Sequence, residues 1–195
     1  MYKRQGTPLQ PKAKPGDIRF LDINGDGVIN SDDITDIGSP WPDHILGLTI
    51  NMSYQGFDLS CVLGSQIGHQ IYRTYERSDI TYTNYQNFWL DRWTEDNPSE
   101  TLPRLVSIDV NGNQRPSSFY LEDGTFLRVR NLQLGYSFPK RILDNIKAKE
   151  MRIFFSANNL LTLTNYRGFD PEIGSGGWIL DTGIDKGFYP SNRSL

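Results

Sequence analysis

The sequence predicts an all-β fold built from antiparallel strands. Three observations carry this expectation. Four segments alternate apolar and polar residues with a period of two, and two of them are separated only by Gln55-Gly56. The 195-residue chain is also rich in turn and strand formers, with 18 glycines and 12% aromatics. Alternation alone leaves two architectures open. In a soluble sandwich the apolar face is a packed core; in a membrane barrel it faces lipid while the small polar face lines the lumen.

The first segment, GLTINMSY, sets Leu48, Ile50, Met52 and Tyr54 on one face and Gly47, Thr49, Asn51 and Ser53 on the other. After the tight turn, FDLSCVLGSQI sets Phe57, Leu59, Cys61 and Leu63 against Asp58, Ser60, Gly64 and Gln66, so the pair reads as a hairpin. The third, NLQLGYSFP, sets Leu132, Leu134, Tyr136 and Phe138 against Asn131, Gln133, Gly135 and Ser137. The fourth, MRIFFSANNLL, is apolar on parts of both faces, and its parity stays open.

Tyr54 and Phe57 flank the tight turn, and Tyr136 and Phe138 end the third strand, so aromatics gather at one end as in an interfacial girdle. Links at that end are short: Gln55-Gly56, and Pro139 to Glu150, where RILDNIKAK holds a helical turn. The opposite end carries long excursions before the first strand, from Gly68 to the region of Tyr120, and from Tyr166 onward. That asymmetry is the habit of an outer-membrane barrel. By simple alternation Arg128 and Arg130 share a face with Leu132. Charge is costly in hydrocarbon, so both are expected above it, in the headgroups or a surface loop.

Composition removes several function classes. Apolar residues are 37% and mean hydropathy is -0.51, and no run approaches the roughly 20 apolar residues of a membrane helix. A β-barrel escapes that test because only alternate residues are apolar. A single cysteine excludes an internal disulfide, and two histidines cannot build a zinc cluster. A net charge of -3 without a basic tract argues against nucleic acid. No Ser-His-Asp or Cys-His arrangement stands out. Asp170-Pro171-Glu172 shows none of the features of an acid/base pair, and GSGGW at Gly174 to Trp178 lacks the strand-loop-helix context of a phosphate loop. An enzyme is not expected. MYKRQ, residues 1–5, resembles a translated sequencing adapter. Residues 6–195 are expected to be a piece of a longer protein.

One motif stands apart. LDINGDGVINSDD has the spacing of a twelve-residue calcium loop, with Asp22 first, then Asn24, Asp26, Gly27 at the sharp turn, the Val28 carbonyl, Asn30, and Asp33 last. Calcium takes hard oxygens, which is why short carboxylates and amides alternate here. Asp33 replaces the usual glutamate and reaches less far, so affinity should be modest. The plain alternative is a polar surface turn. Prolines and glycines on both sides exclude the flanking helices of a calcium sensor, and no second copy of the loop exists. The expectation is a structural calcium staple over 22–33. Phe88, Trp89 and Trp93 offer a weak carbohydrate-stacking site together with Trp178. The blander reading packs Trp89 and Trp93, four apart, through a short helix.

Four blocks resemble the carboxyl-terminal part of SusC/RagA-type TonB-dependent outer-membrane transporters. They are GDIRFLDINGDGVINSDD with IGSPWPDHILGLTINMSYQGFDLS, then FYLEDGTFLRVRNLQLGYSFP, then MRIFFSANNLLTLTNYRGFDPEI, then GFYP. The resemblance implies the last several strands of a transmembrane barrel of about 22 strands with a plugged lumen. It also implies long extracellular loops, a final strand beyond Leu195, and the calcium loop on the cell-surface side. The implied function is uptake of glycans or other oligomeric nutrients, polysaccharide or peptide, with a SusD-like surface lipoprotein as lid. Energy would come from the TonB complex through parts outside this chain. The implied location is the outer membrane of a Gram-negative bacterium, in contact with its lipid. The alternative is a secreted, calcium-stabilised β module that binds carbohydrate through Trp89, Trp93 and Trp178.

Overall fold

In GLTINMSY the large apolar residues at every second position, with Thr49, Ile50 and Tyr54 as strand formers, favour an extended chain, and the strand that forms is longer than the motif. The structure is a computed structural model and describes residues 9–76, 84–173 and 181–195. The MYKRQ and GSGGW segments, Trp178 included, lie outside the described residues. The chain divides into two units, one of Met1–Ile37 with Glu76–Phe119 and one of Gly38–Tyr75 with Tyr120–Leu195.

The second unit holds the described strands: β1 (His44–Tyr54), β2 (Phe57–Ile67), β3 (Gln70–Arg73), β4 (Leu121–Asp123), β5 (Phe126–Ser137), β6 (Arg152–Thr164) and β7 (Ile184–Asp185). β1, β2, β5 and β6 form one antiparallel sheet in that order. The β1–β2 turn has Gln55 and Gly56 at φ 48° and 88°, the left-handed pair that a two-residue hairpin needs to match strand twist. The short helix α1 (Lys140–Asn145) links β5 to β6 on the expected side.

Register shows how the faces assemble. Leu48 pairs with Leu63, Ile50 with Cys61, Met52 with Leu59 and Tyr54 with Phe57. The row continues through Phe57 to Tyr136, Leu59 to Leu134 and Cys61 to Leu132, then to Ile153, Phe155 and Ala157 of β6. Paired residues point to the same side, so one apolar face crosses all four strands. This settles the fourth segment: Ile153, Phe155 and Ala157 lie on the apolar face and Phe154 on the other. Apart from Ala157, which is fully buried, the face is largely without protein cover, with Leu48 54%, Phe57 54% and Leu163 55% exposed. Leaving one such side chain in water forgoes about 1.5–3 kcal/mol, so a face this wide belongs against apolar surroundings. At its turn end Phe57, Tyr136 and Phe138 make a row with ring centroids 4.5 and 5.0 Å apart.

The arginines of β5 depart from the expectation. Val129 pairs with Leu63 and Asn131 with Val62, which leaves Arg130 as an extra residue in a β-bulge. The bulge resets the alternation, so Leu127 and Val129 join Leu132 on the apolar face while Arg128, opposite Gly64 and Thr162, lies on the polar one. Arg128 and Leu132 therefore do not share a face. A local change of register keeps charge off the apolar side, with no need to lift the arginines above it.

The second sheet of this unit, in the order β4-β3-β7, was not legible as strands. β3 runs antiparallel to β4 and parallel to β7. It sits over a buried polar group in which Arg73 pairs with Glu122 at 2.7 Å, Arg167 reaches the same carboxylate at 2.8 Å, and Tyr166 donates to Asp185. Burial, then the Asp185 carboxylate, push the Tyr166 hydroxyl well above its ordinary value, so it stays a donor.

The first unit carries no strand among its described residues. Its scaffold is polar: Arg104 grips both oxygens of Asp17 at 2.5 and 3.1 Å, Asn113 donates to Asp17 at 2.9 Å, and Gln10 bridges the Ile18 carbonyl and Asn111. Burial raises the Asp17 pKa, but its hydrogen bonds from Arg104, Lys14 and Asn113 outweigh that and hold it below 3.8. Gly16 sits at φ +84° against the Trp93 ring, where any Cβ would collide.

Candidate functional site

Two places bring chemistry-bearing residues together, and they lie in different units. The first is the loop from Asp22 to Asp33. Its side chains fold back onto its own backbone: Asp22 accepts from Gly25 and Gly27 at 2.7 and 2.9 Å, Asn24 from Asp26 at 2.9 Å, and Asp26 from Val28 at 2.8 Å. Asp33 closes the circuit by accepting from Ile23 at 2.7 Å and Asn30 at 2.9 Å. Asn30 in turn caps the 3-10 helix Ser31–Asp33 by accepting from Asp32 at 2.6 Å. The amides of Asn30 and Ile23 hold the Asp33 carboxyl below its usual range.

The donor set is all oxygen: the side chains of Asp22, Asn24, Asp26, Asn30 and Asp33 and the Val28 carbonyl. That chemistry fits a hard cation such as calcium. Among the described residues, however, no group of three or more His, Cys, Asp or Glu is gathered closely enough to hold a metal ion. A bound ion would have to draw Asp22, Asp26 and Asp33 inward from the backbone amides that now hold them.

The weak aromatic candidates separate. Trp89 is buried in the 3-10 helix Asn87–Asp91, stacked with Phe88 at 5.6 Å and edge-on to Tyr85 and Phe119, and its indole N–H donates to Glu76 at 2.7 Å. That is a packing role, with no ring face left for a sugar. Trp93 packs on Gly16 and is half-buried.

The second place is on the polar face of the four-stranded sheet, and sequence reasoning passed over it. Arg128 donates to Thr162 at 3.0 Å, to Glu172 at 3.0 Å, to Ser191 at 3.3 Å, and to Asp170. Arg130 reaches the other oxygen of Glu172 at 2.8 Å. A Cβ at Gly64 would collide with the Arg130 guanidinium, so glycine there is what lets the bulge arginine lie across β2. Asp170-Pro171-Glu172, read as a loop without chemistry, thus clamps both arginines to the sheet. Burial raises the Asp170 pKa, but the Ser191 and Glu172 amides and Arg128 pull it below 3.8.

Beside this clamp lies a cavity of about 130 Å³, lined by Arg128, Asn159, Thr162, Phe169, Asp170 and Arg193, among others. The segment that bears Arg193 returns along β6, through an antiparallel bridge of Asn158 with Ser194 and a bond from Asn159 to the Asn192 carbonyl at 3.0 Å. A sequence signal did exist: two arginines in an otherwise alternating strand imply either charge in lipid or a bulge, and two acids in the following loop are their natural partners.

Comparison with known proteins fits this geometry. No family model matches the chain. It is 32% identical to TonB-dependent receptor P26 of Formosa agariphila over 92% of its own length, and 29% identical to TonB-dependent receptor SusC of Bacteroides thetaiotaomicron over 91%. It spans 19% and 17% of those two receptors. Among solved structures it superposes on the RagAB peptide importer in its closed-closed state with a TM-score of 0.62 and 26% identity, covering 89% of this chain and 19% of that one. These relatives are receptors and transporters, not enzymes.

Proposed function

The chain is a segment of the SusC/RagA-type TonB-dependent receptor family, with the antiparallel strands of a partial transmembrane β-barrel, and from that premise we propose that it forms part of an outer-membrane nutrient importer. The observation that carries the proposal is the two-sidedness of the sheet. A largely uncovered apolar face crosses β1, β2, β5 and β6, while the reverse face, despite Ile45 and Phe154, carries the sheet's arginine, carboxylate, hydroxyl and amide groups. That distribution suits a wall between lipid and a polar lumen. It suits a secreted soluble module poorly.

In this proposal the lipid of the outer membrane surrounds the apolar face. The cargo is an oligomeric nutrient, glycan or peptide. A SusD-like lipoprotein covers the entrance, and the TonB complex supplies energy through parts beyond this segment. The loop from Asp22 to Asp33 is proposed as a structural calcium site: Asp22, Asn24, Asp26, Asn30, Asp33 and the Val28 carbonyl would hold the ion, which would fix the loop's shape against its conformational entropy. The test of the importer reading is uptake of labelled oligomers by cells that carry the receptor containing this segment, with and without TonB. Uptake that needs both supports it, and uptake indifferent to the receptor sinks it.

A further inference from the structure

We propose that the cavity beside the arginine clamp is a subsite for a carboxylate carried by the imported oligomer. The inference rests on the importer reading and adds the class of cargo. Three features of the place point to a ligand.

First, the clamp is saturated but not neutral. Arg128, Arg130 and Arg193 stand against Asp170 and Glu172. Both oxygens of Asp170 are occupied, by Arg128 with the Glu172 amide and by the Ser191 amide at 2.9 Å. Arg193 lines the cavity with its side chain in no ion pair or hydrogen bond with any described residue. A guanidinium beside other arginines, with every nearby carboxylate already engaged, is a site for an added anion.

Second, the wall is built by irregularity. The register shift that expels Arg130 is matched on β6, where Asn159 and Leu160 are looped out and Asn159 takes φ 50°. A left-handed asparagine is an uncommon conformation, and bulges re-aim side chains at sites. Here it places Asn159 in the cavity lining, with one amide hydrogen on the Asn192 carbonyl.

Third, the lining is mixed as a binding pocket is. Thr162 accepts from Arg128 and keeps its hydroxyl hydrogen for another acceptor, the Ser191 hydroxyl accepts from Arg128 and donates to Asp170, and Phe169 stands 65% exposed at the same cavity. About 130 Å³ admits one end group, not an oligomer. A carboxylate at Arg193, within reach of the Thr162 hydroxyl and with its carrier against Phe169, uses the groups that the clamp leaves open.

A uronic acid and a peptide carboxyl terminus share that chemistry, and paired probes separate them. Binding to the detergent-purified receptor containing this segment is measured by calorimetry. The probes are trigalacturonate against neutral galactotriose, and trialanine against its carboxyl amide. The expected result is that the acidic member of one pair binds at least tenfold more tightly. Arg193→Gln should erase that preference, and Asn159→Gly, which keeps the backbone conformation, should weaken it in part. Preference within the sugar pair identifies uronate as the source, and within the peptide pair the chain terminus. Equal binding within both pairs, or a preference that survives Arg193→Gln, overturns the subsite. TonB-dependent uptake of neutral oligomers in the same cells would then leave the importer reading intact, whereas absence of any receptor-dependent uptake would sink that reading separately.

Discussion

Arg128 of β5 and Asp170 of the loop after β6 form a buried ion pair, their side chains 3% and 11% exposed. Removing one partner of such a pair leaves the other charge without compensation, at a cost of about 3–5 kcal/mol. Arg128→Met should therefore lower the melting temperature of the receptor in detergent by several degrees. Arg130→Met, whose side chain is 41% exposed, should change it little. Equal effects of the two substitutions would show that burial does not set the strength of the clamp.

A second ion pair, Arg152 with Asp58, spans β5 above Gly135, with both side chains more than a third exposed. Exposed pairs contribute about 0–1 kcal/mol, so Arg152→Gln should be nearly silent in thermal melts. Gly135→Val is expected to be the damaging change, because a Cβ there would meet both charged groups at once. Finding the reverse order would mean that the pair, rather than the space beneath it, matters.

Deleting Arg130 gives a sharper test of the bulge. Without it, Val129 and Leu127 still alternate in phase with Leu132, so the strand should remain folded with both faces intact. Deleting Val129 instead puts Arg130 on the apolar face, which costs about 2–4 kcal/mol for an arginine at the bilayer midplane. Refolding yield into micelles should fall for the Val129 deletion and hold for the Arg130 deletion.

The loop from Asp22 to Asp33 makes a pH prediction. Asp33 is held by the Asn30 and Ile23 amides with its pKa below 3.8. A depressed carboxyl stabilises above its unfolded pKa, and the stabilisation disappears as pH falls through the lower folded value. Protection of the Ile23 and Asn30 amides, measured as exchange relative to the unstructured rate at the same pH, should thus be present at pH 5 and be lost as pH falls below about 3.8. Added calcium should slow exchange at neutral pH, an effect that Asp22→Asn with Asp26→Asn would remove. Exchange indifferent to calcium would end the staple proposal.

Much of this fold was legible in the sequence. The period of two in three segments and the Gln55-Gly56 turn place β1, β2 and β5 correctly, because side-chain alternation is dictated by strand geometry itself. The bulge at Arg130 left only the adjacent polar pair Arg130-Asn131 as its trace, and alternation carried straight through that pair puts every side chain beyond it on the wrong face. β3, β4 and β7, of four, three and two residues, are too short for any periodicity to register. The clamp was missed for a different reason. Asp170 and Arg128 lie 42 positions apart, and only the fold brings such partners together.

The central claim is that the apolar face meets lipid while the arginine-bearing face does not. Cys61, the single cysteine, sits on the apolar face between Leu59 and Leu63, and Ser60 points the other way. The measurement is spin-label accessibility in bilayers, first at Cys61 and then at Ser60→Cys in a Cys61→Ser background. The account predicts that the label at Cys61 relaxes with oxygen and is shielded from a water-soluble nickel chelate, with the opposite at position 60. Nickel access at Cys61 equal to that at position 60 would contradict it.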